Sequence, residues 1–260
     1  MEPSIRPLFD AHLHIIDPRF PLVTNQGYRP PPFTVEDYHQ RTQGLNLTGG
    51  AVVSGSFQGV DQTYLLAALA ELGHGFVGVT QLPAEATDDE IRHLDRAGVR
   101  AVRANQRRGD WMTPRQLDRI ARRVHDLVGW HLELYVDAAD LTDLVPTLTA
   151  LPTVSIDHLG LSTEGLPGLL DLAEAGVYVK ATGFSRGNLD IPATLTALAN
   201  TNPHCLVVGT DLPSTRAPEP FTSRDLELVA MALEDPALIH AAFAGNAQVL
   251  YGQEPTSGSS

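Results

Sequence analysis

Short apolar runs rich in β-branched residues alternate, along almost the whole chain, with stretches whose apolar residues recur every three to four positions. The first pattern is that of buried strands. The second is that of amphipathic helices with one face toward a core. Candidate strands fall at residues 8–16, 50–54, 75–81, 99–105, 131–137, 153–158, 177–182 and 205–211. Helical patterns lie between them at 35–45, 61–72, 88–97, 114–128, 139–151, 165–175 and 192–200, and two more follow at 223–233 and 236–250. Several helices carry a start signal: Thr34 before Val35-Glu36-Asp37, Thr87 before Asp88-Asp89-Glu90, and Thr113-Pro114. In each, a hydroxyl stands where it can accept from the first unbonded N–H groups of a helix.

Eight βα units of roughly 30 residues match a (β/α)8 TIM barrel in number and length. The expected fold is a single-domain α/β barrel over residues 1–252, with an elaborated first βα loop, an extra C-terminal helix and a flexible tail at 253–260. A doubly wound open sheet is the rival, weakened by the lack of a glycine-rich phosphate loop after the first strand. The longest strand-to-helix connection is that first loop, residues 17–33, which contains Tyr28-Arg29-Pro30-Pro31-Pro32. Its prolines make it stiff. In a barrel it would cross the mouth as a lid, or run over the surface as an excursion.

Chemistry in such a barrel collects at the carboxyl ends of the strands. Strand one offers His12 and His14, which share a face of an extended chain and so direct two imidazoles to one place. Strand two ends in Ser54-Gly55-Ser56, and strand four gives Arg103 and Asn105 followed by Arg107-Arg108. Strand five gives Tyr135 and Asp137, and strand six Asp157-His158. Strand seven carries Lys180, Thr182 and then Arg186, and strand eight ends in Gly209-Thr210-Asp211. Each has a duller reading: Asp211 as a helix cap, one of Arg107 and Arg108 as solvated charge, Lys180 as a buried cation paired with Glu133 or Asp157. His131 opens strand five and should face the barrel's floor.

The formal net charge of −13 argues against nucleic acid or an anionic membrane as partner, and leaves room for a small anionic substrate in a locally basic pocket. The first residues lack an apolar core of a signal peptide and no run reaches membrane-span length. The single cysteine, Cys205, opens an apolar run with no base beside it, which reads as a buried structural thiol in a cytoplasmic protein.

Six segments taken together have a familiar order: Asp10-Ala-His-Leu-His14, Gly98-Val-Arg-Ala-Val-Arg103, Ile156-Asp-His-Leu-Gly160, Val179-Lys-Ala-Thr-Gly183, Gly209-Thr-Asp211 and Gly245-Asn-Ala-Gln-Val-Leu-Tyr-Gly252. They resemble the amidohydrolase superfamily, and within it the branch of 2-pyrone-4,6-dicarboxylate hydrolases and sugar lactonases. The resemblance implies a hydrolase that opens a carboxylate-bearing lactone. His12, His14, His158 and Asp211 would be catalytic, and Arg103, Arg108, Tyr135, Arg186 and Ser54 or Ser56 would hold the substrate. Metal-using members of the superfamily take ligands from strands one, five, six and eight, and some add a carboxylated lysine or a Glu on strand four. Here Arg103 and Tyr135 stand on the strands that would complete such a site, so the resemblance implies that no cofactor is required. The alternative is one Zn or Mn ion on His12, His14, His158 and Asp211. Two other activities belong to the same resemblance, a metal-dependent decarboxylase of an aromatic or muconate-type acid and a sugar-lactone lactonase. After strand eight the chain has Leu212-Pro213 where the branch often has an aromatic before the proline.

Overall fold

A computed structural model describes residues 6–83, 85–109 and 112–253. Apart from Gln253, the expected flexible tail lies outside the described residues. Eight strands, all parallel, form one sheet in sequence order: β1 Pro7–Leu13, β2 Asn46–Val53, β3 Phe76–Thr80, β4 Val99–Asn105, β5 His131–Tyr135, β6 Val154–Ile156, β7 Tyr178–Ala181 and β8 Leu206–Val208. The barrel closes just past the end of β8. Asp211 N donates to His12 O at 2.7 Å, and His14 N donates to Leu212 O at 2.7 Å. The Asp10 carboxylate stitches the same seam, accepting from Thr210 N and Thr210 Oγ1 at 2.7 Å each and from Tyr38 Oη at 3.0 Å.

The helices are α1 Val35–Arg41, α2 Thr63–Leu72, α3 Asp88–Arg96, α4 Pro114–Val128, α5 Val145–Leu148, α6 Leu166–Glu174, α7 Ile191–Thr201, α8 Ser223–Leu233, α9 Pro236–His240 and α10 Asn246–Leu250. The capping signals work as their chemistry requires. Thr34, Thr87 and Thr113 each form a reciprocal box with the third helical residue, Asp37, Glu90 and Gln116. Two expected helices differ from the pattern. Residues 139–151 yield only a 3₁₀ turn, Ala138–Asp140, and the single turn α5. Pro146 sits at the start of α5, where the missing N–H costs nothing, and it would break a helix running through from 139. The expected C-terminal helix at 236–250 forms, but a π turn over Ala241–Gly245 separates α9 from α10.

Strand alternation sorts the core into two layers. Phe9, Ala11, Ala51, Val53, Val77, Val79, Ala101 and Val207 pack together with Tyr251. Their sequence neighbours Leu8, Val52, Val102 and Val208 belong to the larger cluster shared with the helices. Tyr251, carried by the C-terminal segment, stacks on Phe9 at 5.5 Å between centroids and meets His131 edge-on at 5.1 Å. His131 therefore belongs to the floor, as its place at the start of β5 predicts.

Candidate active site

At the opposite end, the loops after the strands deliver the polar residues. His12 and His14 leave β1 with rings 5.0 Å apart, and His158 after β6 stands 4.9 Å from His12. Asp211 enters from the loop after β8. Its backbone is left-handed (φ 57°), and so are those of Ser214 and Arg216 nearby and of His158, Leu159 and Leu161 after β6. Non-glycine residues rarely adopt this conformation, and such strain concentrates where side chains are aimed at a site. Glycine is required at two points. At Gly209 a Cβ would fall 2.6 Å from His12 N, and at Gly183 (φ 62°) 2.7 Å from His158 Nδ1.

Three buried atoms at the base of the pocket have no hydrogen-bond partner among the described residues: His12 Nε2, His158 Nδ1 and Asp211 Oδ1. They belong to side chains whose donor atoms lie within 4.8 Å of one another. Buried polar atoms are normally paired, so this convergence marks a place built for an external group. His14 is oriented differently. Its Nδ1 lies 2.7 Å from Val53 O, which can only accept, so Nδ1 carries the proton and Nε2 faces Asp211 Oδ1 at 3.7 Å.

Charge holds these groups in defined states. Burial pushes the Asp211 carboxyl up, but the Arg186 guanidinium leads the groups that outweigh it and hold it far below the usual carboxylate range. Arg186 places Nε at 2.7 Å and Nη2 at 2.6 Å from Asp211 Oδ2, leaving Oδ1 free. Burial lowers His12 well below its ordinary value and brings His158 to about 3, so both rings are neutral at pH 7. Beneath His12 lies a buried ionic layer. Lys180 Nζ bonds Glu133 and stands 3.8 Å from Asp157 Oδ1, while Arg103 Nη2 holds Asp157 Oδ2 at 2.6 Å. His12 Nδ1 is 3.4 Å from both Asp157 Oδ1 and Lys180 Nζ, so this layer orients its ring. Burial raises Glu133 to about 7 against the pull of Lys180. For Asp157 the sign is opposite, because the Arg103 guanidinium leads the groups that overcome burial.

The residues singled out from the sequence divide among several places. His14, Ser56, Arg103, Arg108, Tyr135, His158 and Arg186 line one pocket, with His12 and Asp211 at its base. Ser54 does not line it: its Oγ is turned outward to Tyr64 Oη at 2.6 Å and Gln62 Oε1 at 3.1 Å, so of the two serines Ser56 faces the mouth. Arg107 pairs with Asp137 at 3.7 Å on the outside, which leaves Arg108 for the pocket. Arg103 and Arg186 reach the pocket already tied to Asp157 and Asp211. Tyr135 packs edge-on against His158 at 5.1 Å and under the Arg103 guanidinium at 5.4 Å. Lys180 is fully buried with Glu133, one of the two partners its sequence position left open. Phe57, Thr215 and Arg216 also line the pocket and were not anticipated. Arg216 sits in Leu212-Pro-Ser-Thr-Arg216, a loop without periodicity, so no sequence pattern points to it.

Comparison with known proteins fits this geometry. The amidohydrolase family profile matches residues 9–253. The chain belongs to the amidohydrolase family. Among its amidohydrolase relatives is a 2-pyrone-4,6-dicarboxylate hydrolase of Comamonas testosteroni, 33% identical over 156 residues. That match takes in 58% of this chain and spans about half, 51%, of the relative. A 4-sulfomuconolactone hydrolase of Rhizobium radiobacter is 28% identical over 94% of this chain and 89% of its own. An apo crystal structure from Agrobacterium tumefaciens superposes with a TM-score of 0.84 at 25% identity, covering 98% of both chains.

Proposed function

We propose that this amidohydrolase opens a carboxylate-bearing lactone by adding water to the ring ester carbonyl. The observation that carries the reading is the trio of unpartnered buried atoms, His12 Nε2, His158 Nδ1 and Asp211 Oδ1. Two neutral imidazoles that each present an N–H would cradle the carbonyl oxygen as it becomes an oxyanion. Asp211 Oδ1, kept ionised by Arg186, would take a proton from the attacking water, with His14 Nε2 beside it to orient that water. The water oxygen bonds to the carbonyl carbon, and collapse of the tetrahedral adduct breaks the bond to the ring oxygen. Asp211 returns its proton to that oxygen. The products of ester plus water are one carboxylate and one hydroxyl group on an open chain, with one proton released. Relatives named as pyrone-dicarboxylate and sulfomuconolactone hydrolases support an anionic lactone as the substrate class.

The same donor set is chemically suited to a divalent ion: His12, His158 and Asp211 would hold Zn²⁺ or Mn²⁺ with His14, whose Nδ1 contact to Val53 O is typical of a ligand's outer partner. A bound ion would supply Lewis-acid polarisation of the carbonyl. The metal-independent reading is favoured because the Asp211 charge is already neutralised by Arg186, so a dication would compete with a fixed cation for the same carboxylate.

The test is a panel of pyrone, muconolactone-like and sugar-derived lactones assayed with and without EDTA. Ring opening of carboxylate-bearing lactones that survives chelation is the expected result. Asp211→Asn should lower kcat by about 10²–10⁴ with the fold intact by circular dichroism. Near wild-type turnover by Asp211→Asn would sink the mechanism. Loss of activity on chelation, restored by Zn²⁺ or Mn²⁺, would move it to the metal-bound alternative.

A further inference from the structure

His12 and His14 have opposite tasks in the hydrolytic steps, one donating to an oxyanion and the other accepting from water. His14 has its proton accounted for. Val53 O, 2.7 Å from Nδ1, can only accept, so Nδ1 is protonated and Nε2 is bare. His12 must be arranged the other way round. Burial keeps its ring neutral, and a neutral imidazole has one ring proton, so the partner of Nδ1 decides whether Nε2 bears it.

Two charged groups compete for His12 Nδ1, and they specify opposite tautomers. Lys180 Nζ and Asp157 Oδ1 both stand 3.4 Å from it, in a layer closed to water. An ammonium has three protons and no lone pair, so an Nδ1 that bonds it must be bare. A carboxylate can only accept, so an Nδ1 that bonds it must carry the proton. Distance does not separate the two, but direction does. The Lys180 contact has the geometry of a hydrogen bond, whereas Asp157 Oδ1 lies too far off the line of the ring N–H and has no hydrogen-bond partner among the described residues. Asp157 is engaged through its other oxygen, which takes Arg103 Nη2 at 2.6 Å. Lys180 is fixed by Glu133 Oε2 and by the Tyr251 ring at 5.7 Å, which leaves a proton of its ammonium for His12. On the far side of the ring, His12 Nε2 faces Asp211 Oδ1 at 3.9 Å. A proton on Nε2 meets a lone pair there, where a bare nitrogen would oppose a second acceptor.

We propose that Lys180 is a positioning residue of the active site, which by donating to His12 Nδ1 fixes the tautomer whose Nε2–H is turned into the pocket. The two histidines of one strand end are thereby split into an acceptor, His14, backed by a carbonyl, and a donor, His12, backed by an ammonium. What that N–H does in the reaction rests on the hydrolytic reading, whereas the tautomer itself does not.

Nitrogen-15 NMR of histidine-labelled protein at pH 7 reads the tautomer directly, with the His12 signals identified by their loss in His12→Gln. In the wild type Nε2 should give the proton-bearing signal and Nδ1 the bare one. Lys180→Met combined with Glu133→Leu removes the donor together with its buried counterion, a replacement that folded proteins generally tolerate, and leaves Arg103 and Asp157 to balance each other. Asp157 Oδ1 is then the near partner, and the proton should move to Nδ1. With Nε2 bare, lactone kcat should fall by about 10²–10³, the loss of one oxyanion donor, at unchanged KM. A lysine that is only structural would lower the urea midpoint and leave the ring signals where they are. An unmoved tautomer in the double variant overturns the assignment. So does a bare Nε2 on wild-type His12, the state that a bond from Nδ1 to Asp157 or a metal on Nε2 requires. Turnover is scored separately. A protein that opens no lactone yet shows both ring states loses the hydrolytic reading and keeps the role of Lys180. Full hydrolysis by the double variant with its proton on Nδ1 keeps the tautomer and removes His12 from the oxyanion site.

Discussion

Asp211 accepts two nitrogens of Arg186 on one oxygen and has the other free and buried beside three histidines. The arginine named from the sequence as a substrate clamp therefore has a prior engagement, that of keeping the proposed base ionised in a site where burial alone would protonate it. Arg186→Met should remove the largest influence holding the Asp211 pKa down. The folded-state pKa then rises, so activity lost to protonation appears at higher pH. We expect the wild-type kcat/KM profile to show no acid limb from Asp211 above pH 4, and Arg186→Met to show one in or above the ordinary carboxylate range. A pH–rate profile from pH 4 to 8 checks it, and an unchanged profile would refute the assignment. At this scale the residue types and strand ends were legible in the sequence: His12, His14, His158 and Asp211 all reach one place. Their partners were not. Whether Ser54 or Ser56 faces the mouth is decided by Tyr64 and Gln62 on and before α2, more than five residues along the chain.

Two parts of the barrel leave little room for substitution. The β8–β1 seam brings Gly209 so near His12 that a methyl group would meet backbone, which cannot swing aside. Gly209→Ala should cost about 1–3 kcal/mol in urea denaturation and displace His12, lowering kcat as well. Inside the barrel, Glu133 on β5, Asp157 just after β6 and Lys180 on β7 form a layer sealed from water. Removing one member leaves an uncompensated buried charge. Lys180→Met should destabilise by about 3–5 kcal/mol, and Lys180→Met combined with Glu133→Gln should recover a large part of it, giving strongly non-additive unfolding energies. Additive energies would mean that the pair is not coupled. Helix starts were legible because a cap is a local device: Thr34, Thr87 and Thr113 each need only the next three residues. The segment at 139–151 was not, because its apolar periodicity continues through Pro146 while the backbone does not.

Acid sensitivity is a property of the folded molecule as a whole, and the buried histidines contribute to it with a definite sign. His131, on the barrel floor and remote from the pocket, is brought from 6.5 to about 3, chiefly by burial with a further push from Lys180. Above pH 6.5 the ring is neutral in both folded and unfolded chains and contributes no pH dependence. As pH falls toward 3 the unfolded chain takes up a proton that the native state refuses, so stability is lost through that window. At pH 5 the loss is about 2 kcal/mol, the 1.5-unit gap below 6.5 at roughly 1.4 kcal/mol per unit. His131→Phe should therefore gain about that much relative to the wild type between pH 7 and pH 5, as read from urea midpoints. A pH-independent difference would contradict the burial assigned to His131.

The sequence by itself determined the number, order and type of the units, because strand and helix periodicity are local consequences of which side chains must leave water. It also determined which chemical groups stand at the strand ends. Among the described residues, no helix is long and apolar enough to cross a membrane, as the absence of long apolar runs predicts. Tertiary structure decided what those groups do to one another. Arg103 and Arg186 are matched to carboxylates on neighbouring strands, while Arg108 is left unmatched, and Arg216 is carried to the same mouth by an irregular loop. Charge pairing and desolvation depend on distances between residues far apart in the chain, and only closure of the barrel sets those distances.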